Sequence, residues 1–70
     1  MSKIYTDKRG WRYKVMQGLG TEYKGRYCKP GKSGYHCMAR LPWRATEAEA
    51  QADLDALAAR KGWSEVTDNA

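Results

Sequence analysis

The sequence predicts an α+β fold: a three-stranded antiparallel β-meander packed on one C-terminal α-helix, in the order β-β-β-α. Three observations predict it. Residues 9–41 alternate bulky and charged side chains in three runs separated by glycine-bearing turns. Residues 46–62 then switch to an Ala-, Glu- and Leu-rich run with helical spacing and caps at both ends. Seventy residues make one domain. A chain of this size buries only about 60% of its unfolded surface, so a meander with one face to cover matches a single covering helix.

"RGWRYKVM", residues 9–16, reads as the first strand, with Trp11, Tyr13 and Val15 on one parity and Arg12, Lys14 and Met16 on the other. "QGLGTE" turns the chain. "YKGRYC", residues 23–28, is the second strand, with Gly25 as a bulge or a point of close approach. "KPGKSG" supplies the next turn, and Gly31 after Pro30 suits the positive φ of a type II turn. "YHCMARL", residues 35–41, is the third strand, and "KIYT", residues 3–6, a short edge strand.

In "TEAEAQADLDALAARKG", Thr46 and Glu49 fit a capping box, in which each side chain satisfies a free backbone N–H. Acids crowd the first turns and Arg60 and Lys61 the last, as the helix dipole favours. Gly62 is the expected residue beyond the C-terminus. Ala50, Leu54, Leu57 and Ala58 form the apolar stripe. Trp43 is placed to staple the first turn, and Trp63 to fold back on the helix. The domain is expected over residues 1–64, with "EVTDNA", residues 65–70, as a flexible tail.

A period of two assigns the faces. Trp11, Tyr13, Val15, Tyr23, Tyr27, Tyr35, Cys37, Ala39 and Leu41 are expected to meet the helix. Arg12, Lys14, Lys24, Arg26, Cys28, His36, Met38 and Arg40 are expected on the opposite face, which then holds no acid. Like charges across strands weaken a sheet, so such a face points to a polyanionic partner.

The net charge of +5 is unevenly spread. Residues 1–44 hold eleven Lys/Arg against Asp7 and Glu22, whereas residues 45–70 hold Arg60 and Lys61 against six acids. The N-terminal stretch "MSKIYTDKRGW" has no apolar run, so neither a signal peptide nor a membrane span is expected, and the cytoplasm is the default compartment.

Two cysteines are too few for a disulfide scaffold. Zinc needs four ligands, or three with an open site. Adjacent His36 and Cys37 point to opposite faces of a strand, so Cys28, His36 and Cys37 make a poor set. Cys28 across from His36 is a conceivable nucleophilic pair, but no orienting group or pocket accompanies it. No catalytic residue, metal, cofactor or small-molecule substrate is therefore expected.

The strand "WRYKV", the basic hairpin "YKGRYCKPGKSGYHCMARL" and the helix start "ATEAEAQADLDAL" resemble the small N-terminal DNA-binding domain of phage and transposon tyrosine integrases. That domain is similar to the plant ethylene-response-factor fold, in which a three-stranded sheet packed on one helix lies in the major groove. The resemblance spans residues 9–62 and implies a sheet-face role for Arg12, Lys14, Lys24, Arg26 and Arg40. No recombinase catalytic segment is among the seventy residues, so strand exchange is not carried over.

The expected function is a non-enzymatic module of the phage or mobile-element kind that binds double-stranded DNA. Arg12, Arg26 and Arg40 would offer bidentate donors to guanine edges. Lys14, Lys24, Lys29 and Lys32 would hold phosphates, with His36 as a further contact. The alternatives are a basic face docked on an acidic protein, as in an inhibitor or regulator, and an RNA binder. Single-stranded RNA is less favoured while the aromatics face inward, because stacking needs exposed rings.

Overall fold

The structure, a computed structural model, describes residues 3–66. Its elements run β1 (Ile4–Thr6), β2 (Arg12–Gln17), β3 (Tyr23–Cys28), β4 (His36–Cys37), α1 (Glu47–Lys61) and β5 (Ser64–Val66). The fold is α+β: one antiparallel sheet of order β4-β3-β2-β1-β5 against one helix. The expected meander is present as β2-β3-β4, and β1 and β5 widen it to five strands. No described helix is long and apolar enough to cross a membrane.

Tyr13 and Val15 of β2 turn to the helix, opposite Tyr27 and Gly25 of β3. Leu54, fully buried, seats on this face with Ala50, Leu57 and Ala58, the stripe read from the sequence. Gly25 pairs with Val15 without a bulge, so close approach is its role. A Cβ there would lie 2.6 Å from Leu41 Cδ1 and 3.5 Å from Leu54 Cδ1.

The helix ends follow their caps. The Glu49 N–H donates to Thr46 Oγ1 at 3.2 Å, and the Thr46 hydroxyl meets the Glu49 carboxylate at 3.0 Å. Half of the capping box is thus formed, because the Glu49 side chain takes the hydroxyl. Gly62 closes the helix at φ 74°, and its N–H donates to the Ala58 carbonyl.

Asp7 organises the β1–β2 turn. Its carboxylate accepts from the backbone N–H of Arg9 and of Trp11, from the Tyr13 hydroxyl at 2.7 Å and from the Arg9 guanidinium at 3.0 Å. Burial opposes ionisation of Asp7, but the bonds from Tyr13, Arg9 and the two N–H groups outweigh it and hold its pKa below the usual aspartate value. Burial pushes the Tyr5 and Tyr13 hydroxyls up to about 12, reinforced by their bonds to Asp55 and Asp7.

Three expectations are corrected. The third strand is two residues long, because Met38–Leu41 forms a turn in which the Leu41 N–H donates to the Met38 carbonyl at 3.2 Å. Leu41 reaches the core through that turn, so alternation counted back from it gives the wrong parity. The "KIYT" strand is interior, because Ile4–Thr6 pairs with β2 on one side and β5 on the other. Glu65 and Val66, read as the start of a tail, belong to β5; residues 67–70 lie outside the described residues. Trp63 turns back after the helix as expected, its N–H donating to the Ala58 carbonyl at 3.0 Å, and it packs against the core with its ring stacked on Tyr13 at 3.6 Å between centroids.

Candidate nucleic-acid interface

Residues directly opposite in an antiparallel pair share a face. On the side away from the helix, β2 and β3 place Arg12 beside Cys28, Lys14 beside Arg26 and Met16 beside Lys24. β1 and β5 continue these rows with Thr6 and Ser64, and with Ile4 and Val66. No strand residue of this outer face is acidic, since Glu65 lies opposite Tyr5 on the inner face. Glu22 lies just before β3, at the hairpin tip. Among the described residues the ion pairs join Arg9 to Asp7 and Arg44 to Asp53, which leaves Arg12, Lys14 and Lys24 without a carboxylate.

The parity of the third strand is the reverse of the expected one. Cys37 lies opposite Arg26, and His36 opposite Tyr27. Cys37 is therefore exposed on the basic face, while His36 stands on the helix side with its ring 5.7 Å from Tyr27. Tyr35 is on the basic face too, with Lys14 Nζ 4.6 Å from its ring centroid. Met38 turns inward to pack against the core. Cys28 and His36 sit on opposite faces, so they form no pair, and both cysteines are free. No cluster of three or more metal-ligating side chains occurs among the described residues.

Arg40 is also relocated. With the chain turned at Met38–Leu41, Arg40 lines a groove against the helix with Leu41, Leu57 and Arg60. His36 and Arg40 thus leave the face on which the sequence placed them. Ala39, read as inward, is exposed in the same turn.

Arg26 remains on the outer face but is half-buried. Its Nη2 lies 3.7 Å from where a Gly18 Cβ would stand, and its buried Nε has no hydrogen-bond partner among the described residues. It is packed in place rather than free to fork onto a base edge. Lys29 and Lys32 flank the turn at the end of β3, where the Lys32 N–H donates to the Lys29 carbonyl at 3.1 Å and Gly31 has φ 79°, as expected of a type II turn. The Cys28 thiol fastens this turn by donating to the Lys32 carbonyl at 3.1 Å. A cup of about 430 Å³ opens there, lined by Arg12, Cys28, Lys29, Lys32, Ser33 and Tyr35.

Trp43 does not staple the helix. Backbone bonds between Tyr23 and Arg44, 2.7 and 2.8 Å long, hold the chain along β3. Arg44 turns inward to Asp53 at 2.7 Å, and the Trp43 indole lies over Gly18 with Lys24 Nζ 5.3 Å from its ring. A Cβ on Gly18 would stand 2.5 Å from that indole. Tyr35 and Trp43 are the site residues that sequence reasoning missed. Both follow turn residues, Gly34 and Pro42, whose geometry decides the face of what comes next.

No family model, curated protein or solved structure matches the chain.

Proposed function

We propose that the protein is a small non-enzymatic nucleic-acid-binding module, and that the outer face of its sheet meets the polyanion. One observation carries the reading: among the described residues, Arg12, Lys14 and Lys24 stand on a sheet face with no acidic strand residue and without ion pairs. Lys29 and Lys32 extend the positive surface at the β3 end. A sheet evolved for stability alone mixes signs across strands, because like charges there repel. The resemblance to integrase DNA-binding domains supports the same reading.

Fluorescence anisotropy with labelled nucleic acid at about 50 and 200 mM salt tests it. Affinity is expected to fall steeply with salt, and Lys14→Gln and Lys24→Gln each to flatten the log–log slope by about one. Absence of binding to any nucleic acid at the lower salt would overturn the reading.

A second reading has its own observation. Leu19, at the tip of the β2–β3 hairpin, is fully exposed between Gly18 and Gly20. An apolar anchor beside a basic face also suits an acidic protein partner. Loss of partner capture in Leu19→Ser, with nucleic-acid affinity unchanged, is the outcome that favours it.

A further inference from the structure

Eight aromatic residues divide unequally between the two sides of the sheet. Tyr5 and Tyr13 are core residues, and Trp11, Tyr23, Tyr27 and Trp63 pack against that core. Tyr35 and Trp43 do neither, and both lie on the basic face. Trp43 is 40% exposed. Rings outside the core contribute little to folding, and duplex nucleic acid gives them no partner: its base faces are already stacked on one another, and it presents edges and phosphates.

Each of the two rings carries its own lysine. Lys14 Nζ stands 4.6 Å from the Tyr35 centroid, and Lys24 Nζ 5.3 Å from that of Trp43. Each ammonium lies over its ring, so a base that takes the ring face displaces it to the side, within reach of that base's phosphate. The two couples are also set apart along the sheet. Tyr35 lies beside Lys14 and Trp43 over Gly18, four residues further along the same chain, or about 13 Å at about 3.3 Å per residue. That separation greatly exceeds the ~3.4 Å rise between stacked bases of a helix, so the rings suit an extended strand with splayed bases.

Resting on the reading of this face as a nucleic-acid surface, we infer that its ligand is a single-stranded polynucleotide, with bases stacked on Tyr35 and Trp43 and phosphates held by Lys14 and Lys24. Gly18 is a positioning residue in this arrangement. Its lack of a side chain lets the Trp43 indole lie down on the sheet. Arg12, Lys29 and Lys32, around the cup next to Tyr35, receive the phosphates that follow.

The test compares a short labelled oligothymidylate, an oligouridylate of equal length and a blunt duplex of that length, at one salt concentration. Both single strands, or one of them, are expected to bind at least about tenfold more tightly than the duplex. Tyr35→Ala and Trp43→Ala each weaken single-strand binding about 5- to 100-fold, as loss of one stacked base does, and change duplex binding less than about twofold. Tyr35→Phe and Trp43→Phe retain a ring and keep most of the affinity. Gly18→Ala, which lifts the indole, acts as a milder Trp43→Ala. If Trp43→Ala fails to fold, Tyr35→Ala alone decides, since Tyr35 is outside the core.

Equal or tighter binding of the duplex, or single-strand affinity indifferent to Tyr35→Ala, overturns the stacking inference and leaves the basic-face reading standing. Failure of all three ligands to bind removes both. A preference between the thymidylate and the uridylate, with either above the duplex, upholds the inference.

Discussion

On the helix side of the sheet, Tyr5, Tyr13 and Arg44 each end on a carboxylate, of Asp55, Asp7 and Asp53 respectively. On the other side, Arg12, Lys14 and Lys24 meet no carboxylate among the described residues. The inner face buries Leu54 and Leu57 and satisfies the polar tips around them, which is how a small core holds together. The outer face leaves Arg12, Lys14 and Lys24 without carboxylates among the described residues and two rings outside the core, and these features contribute little to the fold. Stability and recognition are therefore assigned to opposite sides of one sheet, so substitutions can address them separately.

If that division holds, Leu54→Ala should be the most damaging change, since Leu54 is fully buried between helix and sheet. It is expected to lower unfolding free energy by about 2–5 kcal/mol in urea melts, the usual penalty for a large-to-small core substitution. Asp7→Asn comes next, at about 1–3 kcal/mol, because it weakens bonds to Tyr13 and Arg9. The folded pKa of Asp7 is depressed, so its contribution is present above the unfolded value and lost as pH falls through the folded one. Acid melts of the native chain should therefore steepen below about pH 4, and Asp7→Asn should remove that part of the slope. Lys24→Gln is the smallest, at most about 1 kcal/mol from its contact with Trp43, although it flattens the salt dependence of binding. A Lys24→Gln that unfolds the chain would contradict the division of roles.

Much of the inner face was readable in advance because it rests on local, strong signals. The stripe Ala50, Leu54, Leu57 and Ala58, the Thr46 cap and the Gly62 terminus follow from helical period and cap chemistry alone. Tyr13 and Val15 likewise follow from alternation within one uninterrupted strand. Parity beyond the "KPGKSG" turn was not readable. Register across a hairpin is set by turn geometry, and one residue of slip exchanges the two faces. The turn at Met38–Leu41 hid behind apolar residues that look like strand, which misplaced Tyr35, His36, Cys37 and Arg40 together. The pairing of β5 with β1 links the two ends of the described chain, and a three-residue run such as Ser64–Val66 carries no pattern that announces it.

The helix that covers the inner face carries Glu47, Glu49, Asp53 and Asp55 within its first nine residues. The charged strand residues of the outer sheet face are all basic, whereas on the helix side these acids are mixed with Arg40, Arg44, Arg60 and Lys61. Positive charge is therefore concentrated on one side of a particle only about 30 Å across. In the field of a polyanion such a particle experiences a torque before it touches anything: the sheet side is drawn in more strongly than the mixed-charge helix side. Encounters then begin already oriented, which raises the fraction of collisions that lead to binding and makes the association rate, more than the dissociation rate, sensitive to salt.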